Sequence, residues 1–178
     1  MIMRIIDRLK PLLPIPLLVV DNCETFSHLP VNCVCDKYTN AGLPGAILTA
    51  LESCNTDWCF IAGSDMPFVS KEIATALIKY IDSTENSKAS KPEPDVIIPF
   101  RGFYKEPLFA LYRKIGCTKS LLDMVEKNVY KVANLYEKVQ VLYVDVNKII
   151  HKMNLHDPFT NLNTYDDYER ALEIQKFP

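Results

Sequence analysis

Trp58-Cys59-Phe60-Ile61-Ala62-Gly63-Ser64-Asp65-Met66-Pro67-Phe68 is the stretch on which the reading of the whole chain turns. Five apolar residues end in a Gly-Ser turn, the length and flanks of a buried strand. Pro67 biases Met66 away from helical geometry. Ser70 is placed to cap a helix over residues 71–81. In an open α/β sheet, ligands collect beyond the carboxyl ends of the strands. Asp65 therefore stands where a carboxylate could hold Mg²⁺ on a phosphate. It could equally do no more than order the turn, and the run alone does not choose.

The bulk composition narrows the classes. The chain has 178 residues, 48% hydrophobic and 24% charged, as expected for one domain with a sizeable core. A net charge of −2 offers no electrostatic footprint for nucleic acid or an anionic membrane. Cys23, Cys33, Cys35, Cys54, Cys59 and Cys117 show no small secreted framework, and several lie in apolar runs, as reduced core cysteines do. Arg4, Arg8 and Lys10 followed by the apolar residues 11–20 imitate a signal peptide. Three prolines interrupt that run, no small-residue cleavage site follows, and it is too short to span a bilayer. The expected location is the cytoplasm.

Working outward from the central stretch, strands and helices alternate. Ile2, Ile5, Ile6, Leu9 and Leu12 fall at helical spacing, and Pro11 and Pro14 end that helix. Short buried strands are expected at 17–20, before Asp21-Asn22, and at 31–35, before Asp36, with a loop or weak helical turn between them. Gly42-Leu43-Pro44-Gly45-Ala46 then leads into a helix over 46–53. A glycine-rich helix start lets a phosphate or sugar approach free backbone N–H groups, although most such starts bind nothing. Residues 83–94 read as a polar loop, 95–100 and 108–112 as strands, 117–127 and 129–136 as helices, and 139–144 as a strand. Thr164 caps a last helix over 165–175. This order implies an α/β fold, a doubly wound and mostly parallel Rossmann-like sheet, in one domain spanning 1–178.

Polar residues recur at the strand ends: Asn22, Asp36, Asp65 and the pair Asn161 and Asn163. Parallel strands bring such ends onto one rim, and turns also begin there. Cys23, His28, Cys33 and Cys35 lack the paired spacing of a zinc site. His151 and His156 have no partner at ligand spacing, and nothing reads as a Ser-His-Asp or Cys-His arrangement.

Taken in order, Gly42-Leu43-Pro44-Gly45-Ala46-Ile47, Asp57-Trp58, Asp65-Met66-Pro67-Phe68, Glu106-Pro107-Leu108-Phe109-Ala110-Leu111-Tyr112 and Phe159-Thr160-Asn161-Leu162-Asn163-Thr164 resemble the molybdenum cofactor guanylyltransferase family of nucleotidyltransferases. The resemblance covers most of the chain. It implies transfer of GMP from GTP to the terminal phosphate of molybdopterin, with pyrophosphate released. Asp65 would hold Mg²⁺ and act at the reaction centre. Asn22, Asp36, Gly42 and Gly45 match nucleotide-binding positions, and a carboxylate at Asp36 can accept from guanine N1–H and N2–H₂. Asn161 and Asn163 match the pterin side.

The chain also departs from the family. It has no Gly-x-Gly-x-Arg-Met-Gly-like segment, the loop that wraps the triphosphate, and Ala46 stands where glycine is common in the family. The expectation is thus a chain truncated before the helix that should follow the first strand. A strand missing from mid-sheet would leave an edge open to self-association. Three readings stay open: a start codon assigned too late, a non-catalytic relative that binds nucleotide, pterin or a partner, or a strand supplied by another chain. A cytidylyltransferase on the same cofactor is the nearest enzymatic alternative.

Overall fold

The computed structural model describes residues 1–13, 15–85, 92–153, 158–162, 164–167 and 169. In chain order it forms α1 (Ile2–Leu9), β1 (Leu17–Val20), a 3₁₀ turn (Glu24–Phe26), β2 (Asn32–Cys35), α2 (Gly42–Ser53), β3 (Trp58–Ala62) and α3 (Lys71–Glu85). There follow β4 (Val96–Arg101), β5 (Tyr104–Lys105), β6 (Phe109–Arg113), α4 (Lys114–Glu126), a second 3₁₀ turn (Val132–Glu137), β7 (Val141–Asp145) and α5 (Asn147–Met153). Among the described residues no helix is long and apolar enough to cross a membrane.

The strands form two sheets rather than one. β1 and β2 pair in parallel, with Val20 opposite Cys35. The larger sheet runs β3-β6-β4-β5, with β7 also on β4. The α/β class is as expected, but the pairing is more mixed than a mostly parallel sheet. β7 lies parallel to β4, whereas β6 is antiparallel to both β3 and β4. The cause is the short connection from β4. β5 turns straight back on β4, with Arg101 opposite Tyr104. The few residues before β6 cannot hold the crossover of a dozen or more that a parallel partner needs.

The period of two along each strand divides the apolar residues between two faces. Ile97, Phe109 and Leu111 point into a core closed by Ile5 and Leu9 of α1, Ile73 and Leu77 of α3, and Ile150 of α5. Val96, Ile98, Ala110 and Tyr112 face the opposite core, closed by Ile47, Leu48 and Leu51 of α2 and Cys117, Leu121 and Met124 of α4. Phe109 sets the first core, edge-on to Phe60 at 4.8 Å and to Phe159 at 6.0 Å between ring centres.

Helix starts follow local chemistry. Ser70 Oγ accepts the Ile73 N–H at 3.3 Å, the expected cap of α3. Thr164 Oγ1 accepts the Asp167 N–H while Asp167 Oδ2 accepts the Thr164 N–H, a reciprocal cap. The expected helix to residue 175 lies outside the described residues at 168 and from 170 onward. α2 begins at Gly42, four residues earlier than expected, so Gly42-Leu43-Pro44-Gly45 form its first turn. Proline is tolerated there because first-turn N–H groups lack helical partners anyway.

Reduced core cysteines are expected at several of the six positions; one pair is not reduced, as Cys23 and Cys35 form a disulfide, Cα to Cα 5.6 Å. The parallel register explains the meeting, since Cys35 ends its strand opposite Val20 and the chain turns back just after it. Cys33, Cys54, Cys59 and Cys117 are free.

Gly116 lets α4 lie directly on Asp95, because a Cβ at that position would fall on the Asp95 carboxylate. That carboxylate cannot swing away freely, since its Oδ2 holds the Gln140 N–H at 3.0 Å. Overpacking of about 1–3 kcal/mol therefore outweighs the ~1 kcal/mol helix-propensity gain of alanine. Gly116→Ala is expected to lower the urea midpoint, with the slope of unfolding unchanged.

Candidate active site

β3 ends where its ladder with β6 ends. Ala62 lies opposite Phe109, and the next step is a bond from the Gly63 N–H to the Leu108 carbonyl at 2.8 Å. Gly63 is buried, and a Cβ there would sit 2.7 Å from Asp65 Oδ1 and 3.3 Å from Leu108 Cβ. Glycine is thus what allows the Asp65 side chain to fold back over the strand end. Met66, Phe68 and Val69 plug the loop into the core, leaving Asp65 as its half-buried carboxylate.

Two further loops close on this one. The Leu162 N–H donates to the Asp65 backbone carbonyl at 2.9 Å, which brings Asn161 and Asp65 together. Asn161 Oδ1 is buried with no hydrogen-bond partner among the described residues, an orphan acceptor of the kind that marks ligand sites. On the other side lies Glu106, whose Oε1 accepts the Leu108 N–H at 3.0 Å. Burial lifts its carboxyl above the usual glutamate value, the Leu108 N–H pulls it back, and the charge of Asp65 adds to the lift. Tyr112 buttresses this turn by donating to the Pro107 carbonyl at 2.9 Å, with its oxygen 3.3 Å from that of Tyr136. Burial raises both phenols, that of Tyr136 to about 12, so both stay protonated as donors.

The remaining expected residues form a second group, at the end of the β1–β2 pair. Asn22 Oδ1 accepts the Glu24 N–H at 2.9 Å, a local turn that leads into the first 3₁₀ turn. Asp36 Oδ1 accepts the Thr49 hydroxyl at 2.6 Å and the Tyr38 N–H at 3.0 Å. It thereby ties the end of β2 to fully buried Thr49 of α2. Gly42 is exposed at the start of α2 with φ +60°, and a Cβ there would lie 3.7 Å from the Tyr130 side chain. Gly45 is buried, and a Cβ there would come 2.8 Å from the Tyr38 carbonyl oxygen. That makes it a packing glycine against the 36–41 loop. No hydrogen bond or ion pair among the described residues links this group to Asp65. Asn163 lies outside the described residues.

Sequence reasoning quoted Glu106 within a motif but assigned it no role. The available signal was a carboxylate and a proline immediately before a buried strand, the same punctuation that drew attention to Asp65. The Tyr112–Tyr136 pair had no such signal, because its partners are brought together only by the fold.

An α/β sheet covered by helices on both faces, with a half-buried carboxylate just past a buried strand, is consistent with a nucleotidyltransferase-like protein. The chain belongs to the family of MobA-like NTP transferase domains, which matches residues 1–139. It is 32% identical over 131 residues to a probable molybdenum cofactor guanylyltransferase of Halalkalibacterium halodurans, covering 74% of this chain and 61% of that protein. It is 31% identical over 141 residues to a protein of the same description from Natranaerobius thermophilus, covering 78% of this chain and 64% of that one. The chain thus spans less than two thirds of the length of these relatives. Among solved structures, molybdopterin-guanine dinucleotide biosynthesis protein A of Archaeoglobus fulgidus superposes with a TM-score of 0.79 at 25% identity, over 98% of this chain and 85% of that one.

The raised Glu106 carboxyl has a consequence for stability. The folded chain holds this proton to higher pH than the unfolded chain does, so stability declines as pH climbs through the carboxylate range to the folded value. Glu106→Gln keeps an oxygen for the Leu108 N–H and removes the titration. Urea midpoints from pH 4 to 7 are expected to fall less steeply with pH in the variant than in the parent.

Proposed function

We propose that this chain binds GTP with Mg²⁺ and takes part in transferring GMP to the terminal phosphate of molybdopterin. The single observation that carries the reading is the placement of Asp65, fixed between the Leu108–Gly63 and Leu162–Asp65 backbone bonds in a chain of this family. In the transfer, an oxygen of the acceptor phosphate forms a bond to the α-phosphorus of GTP. The bond from that phosphorus to the bridging oxygen breaks, and pyrophosphate leaves with the electron pair.

The residues present suit Mg²⁺. The donor set at Asp65 and Glu106 is hard oxygen. Mg²⁺ favours that situation, being held by one or two carboxylates with phosphate oxygens and water completing the shell. Asp65 would hold the ion, which when bound offsets charge on the phosphate oxygens. Asp36 offers Oδ2 to the guanine edge, Oδ1 being committed to Thr49 and Tyr38. A carboxylate there accepts from the guanine N1–H or N2–H₂, donors that are absent in the same pattern from cytosine. Asn22, just past the end of the neighbouring strand β1, would contribute to the same base site. The N–H groups at the start of α2, around Gly42 and Gly45, face the phosphates electrostatically, as helix N-termini do. The orphan Asn161 Oδ1 accepts from the pterin, with Asn163 beside it in sequence.

The alternative, as a second reading, is a relative that binds nucleotide without turning it over. One set of experiments separates the two. Calorimetric titration with Mg²⁺-GTP, with CTP and ATP as controls, is expected to show selective GTP binding, lost in Asp36→Ala. Transfer to molybdopterin is then measured in the parent and in Asp65→Asn. A drop of about 10²-fold or more is expected in the variant, with its urea midpoint little changed. Equal activity in Asp65→Asn would remove the metal role. GTP binding with no transfer in the parent would establish the second reading, and a preference for CTP would reassign the nucleotide.

A further inference from the structure

One face of α2 grips the three residues that follow β2. Gly45, Thr49 and Glu52 fall at spacings of four and three, positions that align on one side of a helix. A Cβ at Gly45 would come 2.8 Å from the Tyr38 carbonyl oxygen, so glycine brings the helix directly onto the chain. One turn on, Thr49 is fully buried. Its hydroxyl donates to Asp36 Oδ1 at 2.6 Å and accepts the Lys37 N–H at 3.1 Å. Glu52 accepts from the Lys37 ammonium at 2.9 Å and from the Tyr38 hydroxyl at 2.8 Å.

These contacts are of two kinds. Gly45 and Glu52 reach Lys37 and Tyr38 and hold the segment in place. Thr49 reaches the carboxylate itself. The Asp36 N–H is already committed to the Val20 carbonyl at 2.7 Å, one step past the β1–β2 ladder, so the backbone there is fixed by the sheet. Oδ1 then receives two donors, the Thr49 hydroxyl and the Tyr38 N–H at 3.0 Å. A hydroxyl this close to a carboxylate makes a charge-assisted bond, one of the stronger kinds. With both acceptor positions of Oδ1 filled, the carboxylate cannot rotate, and Oδ2 is the uncommitted oxygen of a half-buried side chain.

We propose that Thr49 is a positioning residue for nucleotide selection: by locking Oδ1 it presents Asp36 Oδ2 to the base in one orientation. The choice of guanine then depends on a hydroxyl that never touches the nucleotide. The inference rests on the reading of Asp36 as the group that meets the guanine edge. A carboxylate that must be ordered on binding loses affinity to that ordering, whereas one held beforehand does not. Guanine presents N1–H and N2–H₂ to such an acceptor, and adenine presents neither. Thr49 therefore acts on GTP and leaves ATP alone.

The test is calorimetric titration of the 178-residue chain and its variants with Mg²⁺-GTP, and displacement of GTP by Mg²⁺-ATP. Thr49→Val keeps the branched shape and removes the hydroxyl. It is expected to weaken GTP binding about ten-fold, the size of one hydrogen bond to a charged group, with ATP moved by less than about two-fold because adenine lacks the donors read by Asp36. Thr49→Ser, which keeps the hydroxyl without the methyl, is expected to retain the parent GTP-to-ATP ratio. Thr49→Ala makes the same comparison as Thr49→Val should the latter fail to fold. Glu52→Ala loosens the same segment without touching Asp36, and is expected to lower the urea midpoint while leaving the ratio unchanged. Equal weakening of GTP and ATP, a ratio unmoved by loss of the hydroxyl, a ratio lost in Thr49→Ser, or a Glu52→Ala effect matching that of Thr49→Val would each overturn the positioning role while GTP selection by Asp36 stood. A parent chain with no preference for GTP, or a preference that survives in Asp36→Ala, would remove the underlying reading and the positioning role with it.

Discussion

The bond from the Gly63 N–H to the Leu108 carbonyl is the joint on which the rest of the molecule depends. It is the last step of the β3–β6 ladder, and it fixes the point at which β3 stops being sheet. Gly63 is required because the next acidic side chain folds back into the space a Cβ would fill. The same carbonyl belongs to the turn that Glu106 organises through the Leu108 N–H. One short stretch of backbone thereby sets the end of a strand, the position of a carboxylate, and the start of the neighbouring strand.

The energetic support for that joint comes from below. Phe109, directly after the turn, is fully buried against Phe60 and Phe159, so β6 cannot shift in register without moving an aromatic cluster. A one-residue slip would also exchange Phe109 and Leu111 with Ala110 and Tyr112 between the two cores. Tyr112 reaches back to the Pro107 carbonyl, tying the turn to the opposite core. Rigidity at Asp65 is thus a product of apolar packing on both faces of the sheet, expressed through backbone hydrogen bonds.

Much of this was legible in the sequence, for reasons that can be traced residue by residue. The apolar run at 58–62, its Gly-Ser turn and the Ser70 cap all act locally, and each lies where its local chemistry puts it. Gly42, Pro44 and Gly45 misled because they weaken helices on average. Here the first turn tolerates the proline, and Gly45 is chosen by contact with Tyr38, which spacing does not reveal. The antiparallel course of β6 depends on the length and hairpin geometry of 102–108, not on the strand's own composition. α5 lacks a clean apolar period and buries only Ile150. Asp36 was read as a ligand residue, and its structural duty toward Thr49 was invisible because the two meet through a helix thirteen residues on. Glu106 and Asn161 could be found as motifs, but their proximity to Asp65 is tertiary.

The bond between the Leu162 N–H and the Asp65 carbonyl also orders events in time. The two residues are 97 apart in sequence (162 − 65). At synthesis rates of 5–20 residues per second, about 5–20 s separate their appearance on a ribosome. During that interval β3 and its loop exist while the segment that clasps them does not. The carboxylate on which chemistry would centre is therefore assembled late, together with the last members of the first core, Ile150 and Phe159.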